Sequence, residues 1–243
     1  MLSKSRLKYI QTLGQKKFRQ QEGFFLAEGP KIVAELLEEK SGYIKEIFAL
    51  PEWIETWGNR PLPCALTAIT EAELEKISQL SQPNEVVALI RQFDEQPVRA
   101  AGRLVLALDH IQDPGNLGTI IRIADWFGVQ DIVCSPDSAD RYNPKVVQST
   151  MGSIARVNLI YTDLEQWLEE QKQIEVYAAV LGGTAIGELG KIKEGIILIG
   201  NESNGISEAV LAKADRLITI PKKGRAESLN AAVATGIILH QLT

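Results

Sequence analysis

The chain has 243 residues, 45% of them hydrophobic and 23% charged, with 26 basic against 31 acidic side chains and a net charge of −5. That balance suits one large or two modest hydrophobic cores and argues against nonspecific adhesion of the whole surface to nucleic acid. With only Cys64, Cys134, His110 and His240 available, the cysteines form no disulfide framework and no metal-ligand spacing, and a histidine metal site or a histidine-centred triad has almost no raw material.

No apolar run approaches the length of a membrane span. The opening MLSKSRLKYIQTLG lacks the apolar centre of a signal peptide, which predicts a cytoplasmic protein. The same opening is locally basic. Lys4, Arg6, Lys8, Lys16, Lys17, Arg19 and Lys31 face only Glu22 and Glu28, a pattern that serves either a solvated helix face or a nucleic-acid contact. Along this first stretch, SRLKYIQTL and QKKFRQQ read as short helices and GFFLAE as a strand. GPKIVAELLEE reads as a helix with Pro30 in its first turn. IKEIFAL is a further strand, Thr70 and Glu73 form a capping box ahead of EAELEKISQL, and EVVALIRQF closes the unit as a strand. The polar run DEQPVRAAGR predicts a linker over 94–103, separating a domain at 1–93 from one at 104–243.

Beyond the linker the pattern alternates. LVLALD, QDIVCS, EVYAAVL, GIILIG and RLITIP read as strands, and LGTIIRIADWFG, NPKVVQSTMG, DLEQWLEEQ, SEAVLAKA and ESLNAAVATGIILHQL as helices. Near-continuous Val/Ile/Leu strands between helices predict a parallel sheet covered on both faces, an α/β fold. Ligands in such a sheet bind beyond the carboxyl ends of the strands. Three of those ends are polar and glycine-rich. After the first strand, Asn116 is a candidate helix cap, and Arg122 lies off the apolar stripe, free for a ligand or for an ion pair with Asp125. After GIILIG come Gly200, Asn201, Glu202 and Gly205, a tight turn or a ligand loop. After RLITIP, Gly224 lets the chain turn, and Ser228 and Asn230 serve as cap and buried amide or as site residues. GGTAIGELG at 182–190 is a fourth strand end, bounding a pocket or running as a surface loop. No P-loop and no G-x-G-x-x-G follows a strand, so ordinary ATP and dinucleotide sites have no support. No carboxylate cluster points to a metal.

In order and spacing these three loops resemble the motifs of the SpoU (TrmH-type) family of RNA ribose 2′-O-methyltransferases, of the knotted SPOUT class. Asn116-x-Gly118-x-x-x-Arg122 is similar to the first motif, Gly200-Asn201-Glu202 with Gly205 to the second, and Ile220-Pro221 with Glu227-Ser228-Leu229-Asn230 to the third. KKFRQQEGFFLAEGPKIVAELL resembles part of the family's L30e-like substrate-binding domain, so the likeness spans nearly the whole chain. Ser203 stands where the family commonly has glycine and Lys222 where it commonly has an apolar residue, departures that bear on specificity.

The resemblance implies a deep trefoil knot in the C-terminal domain and S-adenosylmethionine bound within it. Leu198, Gly200, Ile220 and Leu229 would hold adenine and ribose, with Leu181, Gly182, Asn201, Gly205, Pro221 and Ser228 around them. It implies Arg122 as the group acting on the ribose hydroxyl, with Asn116, Glu202, Ser228 and Asn230 in the same machinery and no metal. It further implies a homodimer, with Ala231, Ala232, Ala234 and Gly236 permitting close helix approach or simply filling a core. RNA is the expected partner, ribosomal ahead of transfer RNA, gripped in part by Lys4, Arg6, Lys16, Lys17 and Arg19. The alternatives are a tRNA ribose methyltransferase, a base methyltransferase of the same class, and a non-catalytic RNA-binding protein of the same fold.

Overall fold

The computed structural model describes residues 1–58 and 60–243. The chain begins with helices α1 (Lys4–Thr12) and α2 (Lys16–Glu22), strand β1 (Phe24–Glu28), helix α3 (Pro30–Glu39) and strand β2 (Ile44–Ala49). Helix α4 (Pro51–Trp57), strand β3 (Ala65–Ala68), helix α5 (Glu71–Ile77) and strand β4 (Val86–Arg91) follow. Then come β5 (Leu104–Leu108), α6 (Pro114–Trp126), β6 (Asp131–Cys134), α7 (Pro144–Thr150), β7 (Asn158–Tyr161) and α8 (Leu164–Glu170). The chain closes with β8 (Val176–Ala185), β9 (Gly195–Ile199), α9 (Glu208–Leu211), β10 (Arg216–Thr219) and α10 (Ala231–Leu242). The sequence pattern did not single out α4, β3 or β7: α4 and β7 are short, and β3 is mostly exposed, so none carries a clear apolar period.

These elements form two compact units, Met1–Asp94 with Asp140–Ala155, and Glu95–Ala139 with Arg156–Thr243. The first unit is a four-stranded sheet in the order β1-β4-β2-β3. Its pairs are antiparallel except for β2 with β3. Ser3 caps α1 by accepting the Arg6 N–H at 3.2 Å. The predicted capping box is present, with Thr70 and Glu73 exchanging backbone hydrogen bonds of 3.3 and 3.0 Å at the start of α5.

The sequence-based boundary needs correcting at two points. Residues 140–155, expected in the second domain, pack in the first. Tyr142, Val147 and Ile154 join Phe25, Ile32 and Leu36 in one buried cluster, and the Tyr142 hydroxyl accepts the Phe93 N–H at 2.7 Å. Gly152 has φ +100°, and a Cβ there would sit 2.8 Å from the Glu35 side chain, so only glycine admits this approach to α3. The expected linker at 94–103 is folded onto the second unit. Val98 and Ala100 are buried, Trp167 donates its indole N–H to the Val98 carbonyl at 3.1 Å, and Ala100 N–H donates to the Gln171 side chain at 3.1 Å. A polar ten-residue stretch concealed two apolar anchors.

The second unit is the α/β sheet expected, six parallel strands in the order β10-β8-β9-β5-β6-β7. All five residues of β5 and of β9 are buried, as unbroken apolar strands in a doubly covered sheet must be. From β5 the chain steps outward through β6 to β7, then crosses to β8 on the far side and returns to β9 beside β5. The β5–β9 pair is therefore the topological switch point, where such sheets open a crevice at the strands' carboxyl ends. The first two glycine-rich loops leave the sheet there.

Candidate active site

Each of the three loops is shaped by its own sequence. Asp113, rather than Asn116, caps α6, its carboxylate accepting the Asn116 N–H at 2.8 Å. With the cap supplied three residues earlier, the Asn116 amide is available elsewhere. It donates to the Glu202 carboxylate, while its carbonyl oxygen accepts from the Asn230 side-chain amide at 2.8 Å. Asn230 in turn caps α10, accepting the Ala232 and Val233 N–H groups at 3.0 and 3.2 Å. One line of hydrogen bonds thus ties the loops after β5, β9 and β10 together through Asn116.

The helix predicted from Glu227 starts at Ala231. Glu227 and Ser228 therefore lie in an exposed segment before the helix instead of in its buried first turn. Ser228 is not the cap; Asn230 is, and its amide is exposed rather than buried.

Two residues that the sequence pattern did not single out clamp the loop after β9. Asp109 is 1% exposed, and its carboxylate accepts the Ser207 N–H at 2.7 Å. His110 has φ +55°, a left-handed conformation rare for a non-glycine residue. Its carbonyl accepts from the Asn201 side chain at 2.9 Å, and its ring Nδ1 lies 2.7 Å from the Asp109 carboxylate. The Asp109–His110 pair therefore holds both ends of the 201–207 loop. Inside the loop Asn201 and Gly205 bridge each other. A Cβ on Gly200 would sit 2.3 Å from the Gly205 carbonyl carbon, so the turn requires glycine. The signal available in the sequence was an acid–histidine pair at the end of a fully apolar strand.

A cavity of about 670 Å³ opens beside these loops, within the range of about 300–1,000 Å³ usual for small-molecule sites. One wall is a bulge in β8. Leu217 pairs with Ala178 and Ile218 with Thr184, leaving 179–183 as a bulge with no register partner in β10, and Ala179, Val180 and Leu181 line the cavity. The reading of 182–190 as a loop is thus corrected at its start, since β8 runs to Ala185. The other walls are Ile199–Ile206 and Ile218–Gly224 with Ala226–Leu229. Of the expected cofactor residues, Leu181, Gly200, Asn201, Gly205, Ile220, Pro221, Ser228 and Leu229 line it, as does Glu202. Leu198 is fully buried inside β9, and neither it nor Gly182 is in the lining. Apolar walls for an aromatic base, backbone edges for its hydrogen bonds and a polar end at Glu202 and Ser228 fit a nucleoside-bearing cofactor such as S-adenosylmethionine.

Arg122 is exposed on α6 and is not joined to Glu202 or Asn230. Its expected alternative partner Asp125 pairs with Arg156 at 2.8 Å. Trp126, one turn beyond Arg122, is 84% exposed, and Val233 and Ile237 are exposed on α10, which packs against α6. Of the small residues on α10, Ala231 and Ala234 line the cavity, Ala232 is buried and Gly236 faces Ile123 of α6.

The basic residues of the first unit divide sharply. Lys4, Lys16 and Lys17 are exposed. Arg6 pairs with Glu46 and lies over the Tyr9 and Phe48 rings at 5.2 and 5.8 Å. Arg19, expected on an RNA-facing surface, is 2% exposed. Its guanidinium donates to Asp140 at 2.5 Å and to the Leu13 and Gly14 carbonyls at 2.9 and 2.8 Å. Arg19 is a structural residue that docks 140–155, and no RNA can reach it.

The model of the SpoU rRNA methylase family matches residues 103–240, and that of an MRM3-like substrate-binding domain matches residues 4–88. A 23S rRNA (guanosine(2553)-2′-O)-methyltransferase of Bacillus subtilis is 32% identical over 93% of this chain and 91% of its own length. An AdoMet-bound rRNA methyltransferase of Sinorhizobium meliloti superposes with a TM-score of 0.85 at 31% identity, covering 99% of this chain and 95% of the other. The SpoU methyltransferase AviRb of Streptomyces viridochromogenes, in complex with AdoMet, also superposes with a TM-score of 0.85, at 26% identity over 98% and 97% of the two chains.

Proposed function

We propose, from the premise that this chain belongs to the SpoU rRNA methylase family, that it methylates ribosomal RNA at a ribose 2′-hydroxyl with S-adenosylmethionine as donor. The observation that carries the reading is the tie of Asn116 to both Glu202 and Asn230 beside a cavity suited to that cofactor. The Bacillus relative, matched over nearly its whole length, supports the ribosomal substrate.

Bound S-adenosylmethionine supplies an electrophilic methyl carbon on a sulfonium. Leu181, Leu229 and the backbone of 200–206, Ile220, Pro221 and 226–229 are the residues that would hold it. The attacking 2′-hydroxyl would give up its proton to solvent water as it takes the methyl group, with the displaced electron pair staying on the sulfur of the neutral thioether product. Arginine stays protonated under ordinary conditions, so Arg122 acts by orienting the hydroxyl and stabilising the negative charge that grows on its oxygen. Asn116 and Asn230 fix the loops, Glu202 orients the site, and Ser228 offers a hydroxyl to ribose or to the cofactor's amino-acid end. Positioning of the two reactants supplies much of the acceleration. No step calls on a metal.

Arg122 reaches a reacting ribose in a homodimer. Trp126 is exposed on the same helix as Arg122 and Val233 and Ile237 on α10, which packs against it; in this reading a second copy covers these apolar side chains. The same reading assigns the C-terminal segment the deep trefoil knot of the SPOUT class, an exception to the rule that chains do not thread loops. It makes the first unit an L30e-like RNA-binding domain whose exposed Lys4, Lys16 and Lys17 contact phosphates. It places the protein in the cytoplasm with its substrate; among the described residues no helix is long and apolar enough to cross a membrane.

The test is methylation of unmodified ribosomal RNA with labelled cofactor, followed by nucleoside analysis. A 2′-O-methylnucleoside at a defined position supports the proposal. A methylated base would assign the chain to base chemistry, and cofactor binding without transfer to any RNA would remove the enzyme reading.

A further inference from the structure

Lys222, Lys223 and Arg225 stand in one exposed segment between β10 and α10, and Lys222 and Lys223 line the cavity. Elsewhere in the second unit some cations are paired, Arg103 with Asp131 at 2.8 Å, Arg156 with Asp125 at 2.8 Å, Lys213 with Glu169 at 2.6 Å, and Arg216 with Glu175. The three on this segment have no ion pair with any described residue, although Glu227 lies two residues beyond Arg225. Three unpaired cations within four positions, two of them lining the cavity, concentrate positive charge there on a chain of net charge −5.

We propose that Lys222, Lys223 and Arg225 form a phosphate-binding lip on the methyl-transfer site, gripping the RNA backbone next to the nucleotide being methylated. The inference rests on the reading of the cavity as a ribose 2′-O-methylation site. In RNA the 2′-oxygen and the 3′-phosphate sit on neighbouring carbons of one ring. A ribose presented at the cavity mouth therefore brings a phosphodiester within one nucleotide of the reacting atom. A single lysine would satisfy the carboxylate of S-adenosylmethionine; three cations on one edge match a polyanion. This lip belongs to the second unit.

The triple variant Lys222→Gln/Lys223→Gln/Arg225→Gln tests the proposal, with Lys222→Glu/Lys223→Glu as a stronger second. All three positions are exposed, so thermal melting should match wild type. RNA KM should rise tenfold or more with kcat within about threefold, and filter binding should show the same loss of affinity without turnover. The slope of log affinity against log salt should fall by about 2, since each lost phosphate contact removes about 0.7 on single strands and about 0.9 on duplex. Cofactor affinity by calorimetry should stay within twofold. An unchanged RNA KM and salt slope would overturn the lip. So would a tenfold loss of cofactor affinity with an unchanged slope, which would return the lysines to the cofactor. If wild type methylates no RNA while the variants still lose the salt slope, the enzyme reading fails and the lip stands.

Discussion

Arg19 and Arg122 carry the same side chain into opposite circumstances. In the first unit Arg19 is 2% exposed, with its donors taken by Asp140 and two carbonyls. Glu28 and Glu73 of that unit are likewise buried and hydrogen-bonded to backbone. In the second unit Arg122, Lys222, Lys223, Arg225, Glu227 and Ser228 are exposed near the carboxyl ends of the strands, beside a scaffold that Asn116, Asp109 and Asn201 hold by side-chain hydrogen bonds. A polar group that has met its partners inside the fold stabilises it. A polar group kept open on a rigid frame can still act on a ligand.

The sharpest break of that contrast is a pair of alanine variants. Arg122→Ala should lower kcat by about 10³, the scale of losing a group that stabilises transition-state charge, with thermal stability unchanged and cofactor affinity within twofold. Wild-type turnover would remove Arg122 from the mechanism. Arg19→Ala should instead cost about 1–3 kcal/mol of stability by taking the donors away from the half-buried Asp140 carboxylate and from the Leu13 and Gly14 carbonyls, read as a fall in the denaturation midpoint. Arg19→Met with Asp140→Leu should recover only part of that loss, because it removes the unpaired charge but leaves the Leu13 and Gly14 carbonyls and the Tyr142 N–H without their partners.

Next in size is the apolar face. Trp126→Lys with Ile237→Lys should dissociate the proposed dimer, each buried anchor contributing about 2 kcal/mol or more, and sedimentation reads the result. Activity should fall with dimer content. A fully active monomer would place Arg122 in its own chain's site. Smaller again is the Asp109 clamp. Asp109→Ala leaves the Ser207 N–H without its acceptor and should cost about 1–3 kcal/mol. Hydrogen exchange should speed up at 201–207, and cofactor affinity should weaken. Asp109→Asn, which still accepts that N–H, should restore most of the affinity.

The contrast also explains what the sequence made legible. The parallel sheet was readable because β5 and β9 are unbroken apolar runs, and the three loops because glycine, asparagine and proline punctuate strand ends. The burial of Arg19 was not readable. Its partner Asp140 lies 121 residues away, and a basic helix gives the same pattern whether one member turns inward or not. The return of 140–155 to the first unit was hidden for the same reason, since local periodicity predicts α7 but not the sheet it covers. The start of α10 at Ala231 was misread because Glu227–Asn230 suits a first turn by propensity, while Asn230 caps the helix and leaves Glu227 and Ser228 outside. The Asp109–His110 clamp needs a left-handed histidine, which no apolar pattern announces.

The smallest effect tests the first unit alone. Burial pushes the Glu28 carboxyl above its ordinary value near 4.5, against the opposing hydrogen bonds from Ser78 and the Gln79 N–H. These are 2.5 and 2.8 Å long. The folded chain thus keeps this proton to a higher pH than the unfolded chain. Its contribution to stability is complete below about pH 4.5 and is lost as pH rises through the elevated folded value. Glu28→Gln removes the titration. Its carbonyl oxygen still accepts from Gln79, and its amide can donate to the Ser78 hydroxyl. Relative to wild type the variant should gain stability as pH is raised from 4 to 8, then hold level. Melting curves across that range read the difference. A variant that loses stability at pH 7 would mean that the ionised carboxylate is required, and Glu28 would move to the side of Arg122, among the groups whose charge the protein uses.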